Sequence, residues 1–264
     1  MRRSAAGPDI SERLGVQVRL LGPIEVHGAA RPFSRAWSLD LVAYLALHRG
    51  GASTEMWSTA LWPERLARPS TRHSVVSAAR RSLGADRAGV DHLPHERGHL
   101  RLGPSVTTDV EGLFACAAIQ DAATWARGLR LVRGRPFEGL RATDWPIVEG
   151  LASMVEAEVA ALALRLAAFR LDSGDHEAAR WAARTGLMAS PYDERLYRCL
   201  LHSARAAGNP AAADQAMAEL CARMGVEGGR IPDELRHWVD PATEALYRAL
   251  PGRGPATKRV PARL

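Results

Sequence analysis

The residues best suited to chemistry in this chain fall in one short stretch, where Ser70, Thr71, Arg72, His73, Ser74, Ser77, Arg80 and Arg81 follow Pro69 at spacings compatible with a helix. Hydroxyl, imidazole and guanidinium groups so placed can bond phosphate oxygens or base edges. Pro69-Ser70 opens the expected helix, which runs to Leu83 and stops at Gly84. Val76, Ala79 and Leu83 follow an i, i+3, i+7 pattern and are expected to face a core. His73, Ser74, Ser77, Ala78 and Arg81 then lie opposite, with Arg72 and Arg80 nearer the flanks. Ser70, Thr71 and the helix N-terminus suit a backbone phosphate. Downstream, His95-Glu96-Arg97 reads as the tip of a hairpin that would carry Arg97 toward a minor groove. Charge and pattern alone fit equally well a basic, solvated helix on an ordinary small domain.

Other constellations point away from catalysis. His92, His95 and His99 lie close together with Glu96, but real zinc sites have better-defined ligand pairs, so a wing is the simpler reading. No nucleophile elbow, phosphate loop, H-E-x-x-H or dinucleotide fingerprint occurs. Glu156/Glu158 and Asp193/Glu194 read as solvated helix faces. Trp125, Trp145, Trp181 and Trp238 read as packing residues. Cys116, Cys199 and Cys221, odd in number and far apart, read as small buried or half-buried thiols. No enzyme, cofactor or metal is expected. No apolar run approaches a membrane span, and no h-region follows Met1-Arg2-Arg3-Ser4, so a cytoplasmic location is expected.

These residues need elements to hold them. Residues 16–26 alternate around Gly22-Pro23 and read as two short strands. Ser38 is expected to cap a helix over 39–49, and Ser53 a second one with Glu55 in its first turn, ending at Trp62-Pro63. Residues 90–102, with Gly98, read as a hairpin. From Asp109 onward helices are expected over 109–120, 121–133, 144–173, 176–189, 193–207 and 210–224. Charge divides along the same line. Residues 1–108 hold 15 arginines against 9 acidic residues, residues 109–250 hold 16 against 20, and residues 251–264 hold four basic residues and no acid. A basic first segment suits a phosphate-bearing partner. Lys258 is the single lysine among 35 basic residues, a compositional bias that weakens the meaning of any one arginine.

The second half contains a repeat. Gly174 and Gly208, and again Ala179 and Ala213, are separated by 34 residues, the period of tetratricopeptide helix pairs. Packing positions are expected at Leu166, Ala179 and Ala183 in one unit and at Tyr197, Leu200, Ala204, Ala213, Met217 and Leu220 in the next. The expected fold is therefore mainly α with a small β component, a winged helix-turn-helix followed by a tetratricopeptide-like helical array. The expected divisions are a flexible arm (1–15), a winged-helix domain (16–108), the array (109–250) and a disordered basic tail (251–264).

Several segments resemble a known family. Val18-Arg19-Leu20-Leu21-Gly22-Pro23-Ile24-Glu25-Val26, Tyr44-Leu45-Ala46-Leu47-His48-Arg49-Gly50-Gly51, Ala60-Leu61-Trp62-Pro63 and Ala79-Arg80-Arg81-Ser82-Leu83-Gly84 resemble the SARP-type regulators, whose winged helix is of the response-regulator kind. Leu131-Val132-Arg133-Gly134-Arg135-Pro136-Phe137, the two 34-residue units and Pro241-Ala242-Thr243-Glu244-Ala245-Leu246-Tyr247 resemble the bacterial transcriptional activator domain. The resemblance covers roughly residues 16–250. It implies a sequence-specific transcriptional regulator, an activator that contacts RNA polymerase holoenzyme and binds direct repeats of double-stranded DNA, as a homodimer at least on DNA. The same domain pair also resembles the C-terminal part of large bacterial proteins bearing peptidoglycan-binding modules. Two positions depart from the pattern. Arg72 stands where such helices carry an apolar core residue, and Ala78 where an arginine commonly faces DNA. Those departures favour the alternative of a non-enzymatic interaction or effector-sensing module whose winged helix no longer reads DNA. The charge division opposes it.

Overall fold

The computed structural model describes residues 15–65, 67–95, 98–225 and 239–250. The expected tail, the expected arm apart from Gly15, and Glu96, Arg97 and Trp238 lie outside them. The chain forms two compact units by packing. One runs through Ala115 and includes Leu131–Val155, and the other comprises Cys116–Arg130 and the chain from Glu156. The architecture is mainly helical with few strands, a winged helix and a helical array.

In the first unit, β1 (Gln17–Arg19) pairs antiparallel with β2 (Glu25–His27), with Val18 opposite Val26. The turn between them needs Gly22, whose φ of 146° is open to glycine. The helices α1 (Ala36–Leu47), α2 (Thr54–Leu61) and α3 (Pro69–Leu83) follow. The Ser53 cap forms as expected, its Oγ accepting from Met56 N at 3.2 Å. Ser38 does not cap α1. The helix starts three residues earlier, at Ala36, and the Ser38 Oγ instead donates to the Arg35 carbonyl at 2.6 Å from inside the first turn. The expected hairpin over 90–102 also differs. Its strand β4 (His99–Leu100) pairs with β3 (Ala52–Ser53), Ala52 opposite Leu100, while Ala85 and Asp91 bridge to close a separate loop. The β5 strand (Thr107–Thr108) returns parallel to β1.

Two buried carboxylates fasten this unit. Asp109, at the start of α4 (Asp109–Ala117), accepts from the amides of Leu20 at 2.7 Å and Leu21 at 3.0 Å. Asp40 on α1 accepts from the amides of Arg141 and Ala142, both at 3.0 Å. Burial pushes both carboxyls above the usual carboxylate range, and the amide donors oppose that shift. The segment Leu131–Val155 is stitched on further by Arg133 N to Leu21 O (2.7 Å) and Phe137 N to Leu20 O (2.8 Å). Its short helix α6 (Trp145–Val148) sets the Trp145 ring edge-on to Tyr44 at 5.0 Å. The single helix expected over 144–173 is interrupted here, because Gly150 takes a left-handed φ of 72° between α6 and α7 (Leu151–Asp172).

In the second unit, α5 (Ala122–Leu129) is capped by Asp121, and the repeat is built from α7, α8 (His176–Ala189), α9 (Glu194–Ala206) and α10 (Pro210–Arg223). The 34-residue period is structural in detail. Gly174 and Gly208 both turn the chain with positive φ, at 75° and 59°. The next residues, Asp175 and Asn209, both cap the following helix, accepting from Ala178 N and Ala212 N. All nine expected packing positions are buried. Gly186 allows close helix approach, since a Cβ there would stand 2.7 Å from Ala163 Cβ and 2.8 Å from Leu196 Cδ1. The α11 helix (Pro241–Arg248) packs on α9, tied by Arg198 to Asp240 and Thr243 at 3.0 Å each.

Candidate nucleic-acid interface

The α3 helix begins with Pro69 in its first turn and ends at Gly84, whose φ of 71° suits glycine at a helix C-terminus. Its buried side is Val75, Ala78, Ala79, Ser82 and Leu83. That face is rotated from the expected one. Val76 is half-buried, and Ala78 is only 4% exposed, so Ala78 faces the core and cannot face DNA. Ser70, Thr71, His73, Ser77 and Arg81 are exposed, and Arg72, Ser74 and Arg80 are half-buried. Among the described residues no side chain caps the α3 N-terminus, which leaves the first-turn amides of Ser70 and Thr71 without a capping acceptor there.

The two adjacent arginines differ sharply. Arg80 donates through Nε to the Leu93 carbonyl at 2.7 Å and through Nη2 to the Pro94 carbonyl at 3.0 Å. It thereby ties α3 to the strand-entry loop before the wing, and partial burial pushes its guanidinium pKa down. Arg81 points outward and makes one long bond, Nε to Ser77 O at 3.4 Å. Arg97 lies outside the described residues.

The three histidines of the wing region are not brought together. His92 is buried and its Nδ1 lies 3.0 Å from Ser105 Oγ. His95 and His99 instead line a cleft of about 420 Å³ with Arg72, His73, Ser77 and Arg80. Among the described residues no group of three metal-ligating side chains converges. The floor of the cleft includes Trp57 from α2, a residue that sequence reasoning missed. Trp57 is 1% exposed, and its Nε1 is buried with no hydrogen-bond partner among the described residues. Arg72 lines the same cleft, and its Nε is likewise buried without a partner among the described residues. The signal in the sequence was Arg72 at an apolar helix position, but only the fold sets it against a cleft that Trp57 also lines.

Most of the remaining expectations resolve as architecture, with Trp181 the exception among the described tryptophans. Trp145 is buried, Trp125 is half-buried with its Nε1 donating to Ile119 O at 2.5 Å, and Trp181 is 37% exposed beneath the Arg130 guanidinium. Asp193 caps α9 and pairs with Arg195, which holds its carboxyl below the usual range against the effect of burial. Glu158 pairs with Arg165 at 3.5 Å. The three cysteines are free thiols, Cys221 buried and Cys116 and Cys199 half-buried. No helix among the described residues is long and apolar enough to cross a membrane.

No family model matches the chain, and no curated protein matches it. Among solved structures it is similar to EmbR of Mycobacterium tuberculosis in complex with a low-affinity phosphopeptide, at 25% sequence identity and a TM-score of 0.57. The similarity covers 89% of this chain and 64% of that one, so the chain spans less than two thirds of EmbR's length. The likeness supports a SARP-like fold, a winged helix joined to a helical array.

Proposed function

We propose that this protein is a DNA-binding transcriptional regulator, with residues 16–108 docking on the duplex and residues 109–250 serving regulation and assembly. The observation that carries this reading is the outer face of α3. Ser70, Thr71, His73, Ser77 and Arg81 are exposed along one helix of a winged-helix unit, with an uncapped N-terminus at its start. Such a face offers donors to phosphates and base edges. The basic balance of the first 108 residues and the likeness to EmbR support the same reading. Ala78 and Arg72 no longer weigh against it. Ala78 is a core residue, and Arg72 has its own place in the cleft.

The resemblance extends the proposal to direct-repeat operators, a homodimer on DNA, contact with RNA polymerase and a cytoplasmic setting. A second reading, an effector- or partner-sensing module, is favoured by one feature of the second unit. A groove of about 680 Å³ there is lined by His176, Arg180, Trp181, Arg184, Ala204 and Ala212. Fluorescence-anisotropy titration of genomic fragments at several salt concentrations decides between them. A regulator binds a few fragments tightly with a steep negative salt slope. Uniformly weak binding would leave the sensing module.

A further inference from the structure

The cleft between α2, α3 and the wing has an unusual inventory. Arg72, His73 and Arg80 come from one side, His95 and His99 from the other, with Thr54 and Trp57 from α2, and among the described residues no carboxylate lines it. Two N–H groups of its lining residues, Trp57 Nε1 and Arg72 Nε, are buried with no acceptor among the described residues. A buried donor left unpaired costs about 1–3 kcal/mol, more when charged, so two at one cleft mark a place where an acceptor belongs. Arg80 also lines the cleft, but its guanidinium is already committed to two carbonyls, so it is not one of the donors to an occupant.

We propose that this cleft is an oxyanion pocket that takes a phosphate group, with Arg72 and Trp57 as its principal donors. The donors approach from three elements, which suits a tetrahedral anion with several acceptor oxygens better than a planar carboxylate. A volume of about 420 Å³ also accommodates a phosphate ester together with part of its alcohol. The phosphate can belong to a duplex backbone lying between α3 and the wing, or to a free phosphorylated ligand. The first source rests on the DNA-binding reading, and the second does not.

The test uses the full chain, Arg72→Met and Trp57→Phe. The second variant removes the indole donor but keeps an aromatic filling, so a folding defect in the first does not obscure the result. Calorimetric titration with inorganic phosphate at constant ionic strength is expected to show saturable binding to the parent chain, weakened at least tenfold in both variants. Absence of phosphate binding to the parent, or equal binding to all three proteins, overturns the pocket. A duplex arm then separates the sources. If a backbone phosphate is the occupant, Arg72→Met weakens duplex binding, and one methylphosphonate position in the duplex makes that substitution silent. If a free ligand is the occupant, both variants lose inorganic phosphate while duplex affinity is unchanged. A parent chain that binds phosphate but no duplex would sink the DNA-binding reading and leave the pocket standing.

Discussion

Arg80 and Arg81 are adjacent, chemically identical and both basic, yet the structure gives them opposite surroundings. The Arg80 guanidinium donates to the Leu93 and Pro94 carbonyls at 2.7 and 3.0 Å, while Arg81 is exposed with one long bond. A hydrogen bond to a charged group is worth about 1.5–3 kcal/mol net. Arg80 is only half-buried, so water replaces part of what is lost, and Arg80→Met is expected to cost about 2 kcal/mol in total. For a unit of this size that corresponds to a fall in Tm of about 4–8 °C. Arg81→Ala is expected to stay within about 0.5 kcal/mol of the parent, as a surface change. DNA binding should divide the other way. Losing one phosphate contact flattens the slope of log K against log salt by about 0.9, and that change belongs to Arg81→Ala. Arg80→Met should lower Tm and keep the slope. Thermal unfolding and anisotropy at three salt concentrations read both quantities on the same proteins. An Arg80→Met variant with unchanged Tm and a flattened slope would refute this assignment, because its guanidinium would then be facing phosphate.

Four further outcomes follow from the same geometry. Ala78→Arg is expected to destabilise by several kcal/mol and add no DNA affinity, since it forces a charge into a site 4% exposed, and equilibrium unfolding checks it. Asp175→Ala and Asn209→Ala should each cost about 1 kcal/mol by loss of a helix cap, with nearly equal values because the two positions are equivalent in the repeat, as measured by urea unfolding. Burial raises the Asp40 carboxyl above its unfolded value, so its contribution to stability is complete below the unfolded pKa and declines as pH rises through the folded one. Asp40→Asn, which keeps an acceptor for the Arg141 and Ala142 amides, should therefore flatten the fall in Tm across that acidic window, and an unchanged pH profile would contradict the assignment. Gly51→Ala should disturb the β3–β4 pairing, because its φ is 86° and a Cβ would lie 2.3 Å from His99 Cε1; a loss of Tm of several degrees is expected.

Local chemistry made much of this protein legible in its sequence. Ser53 capping α2, Pro69 and Gly84 bounding α3, and the 34-residue spacing of the turn glycines are decided within a few residues of chain, where backbone dihedrals and first-turn hydrogen bonds are set. The repeat also fixed its own packing positions, because each helix pair buries the same face against its neighbour. What sequence periodicity misplaced was the rotation of α3. Val76 and Ala78 are both small and apolar, and which of them is buried depends on how α1 packs against the helix. Only the tertiary structure decided that Arg80 serves the wing entry, that β4 pairs with β3 some 47 residues upstream, and that Leu131–Val155 packs into the winged-helix unit through Asp40, Leu20 and Leu21. The same holds for the cleft in which Trp57 and Arg72 share their unpartnered donors. Each of these rests on contacts between residues distant in the chain, whose partners no local pattern specifies.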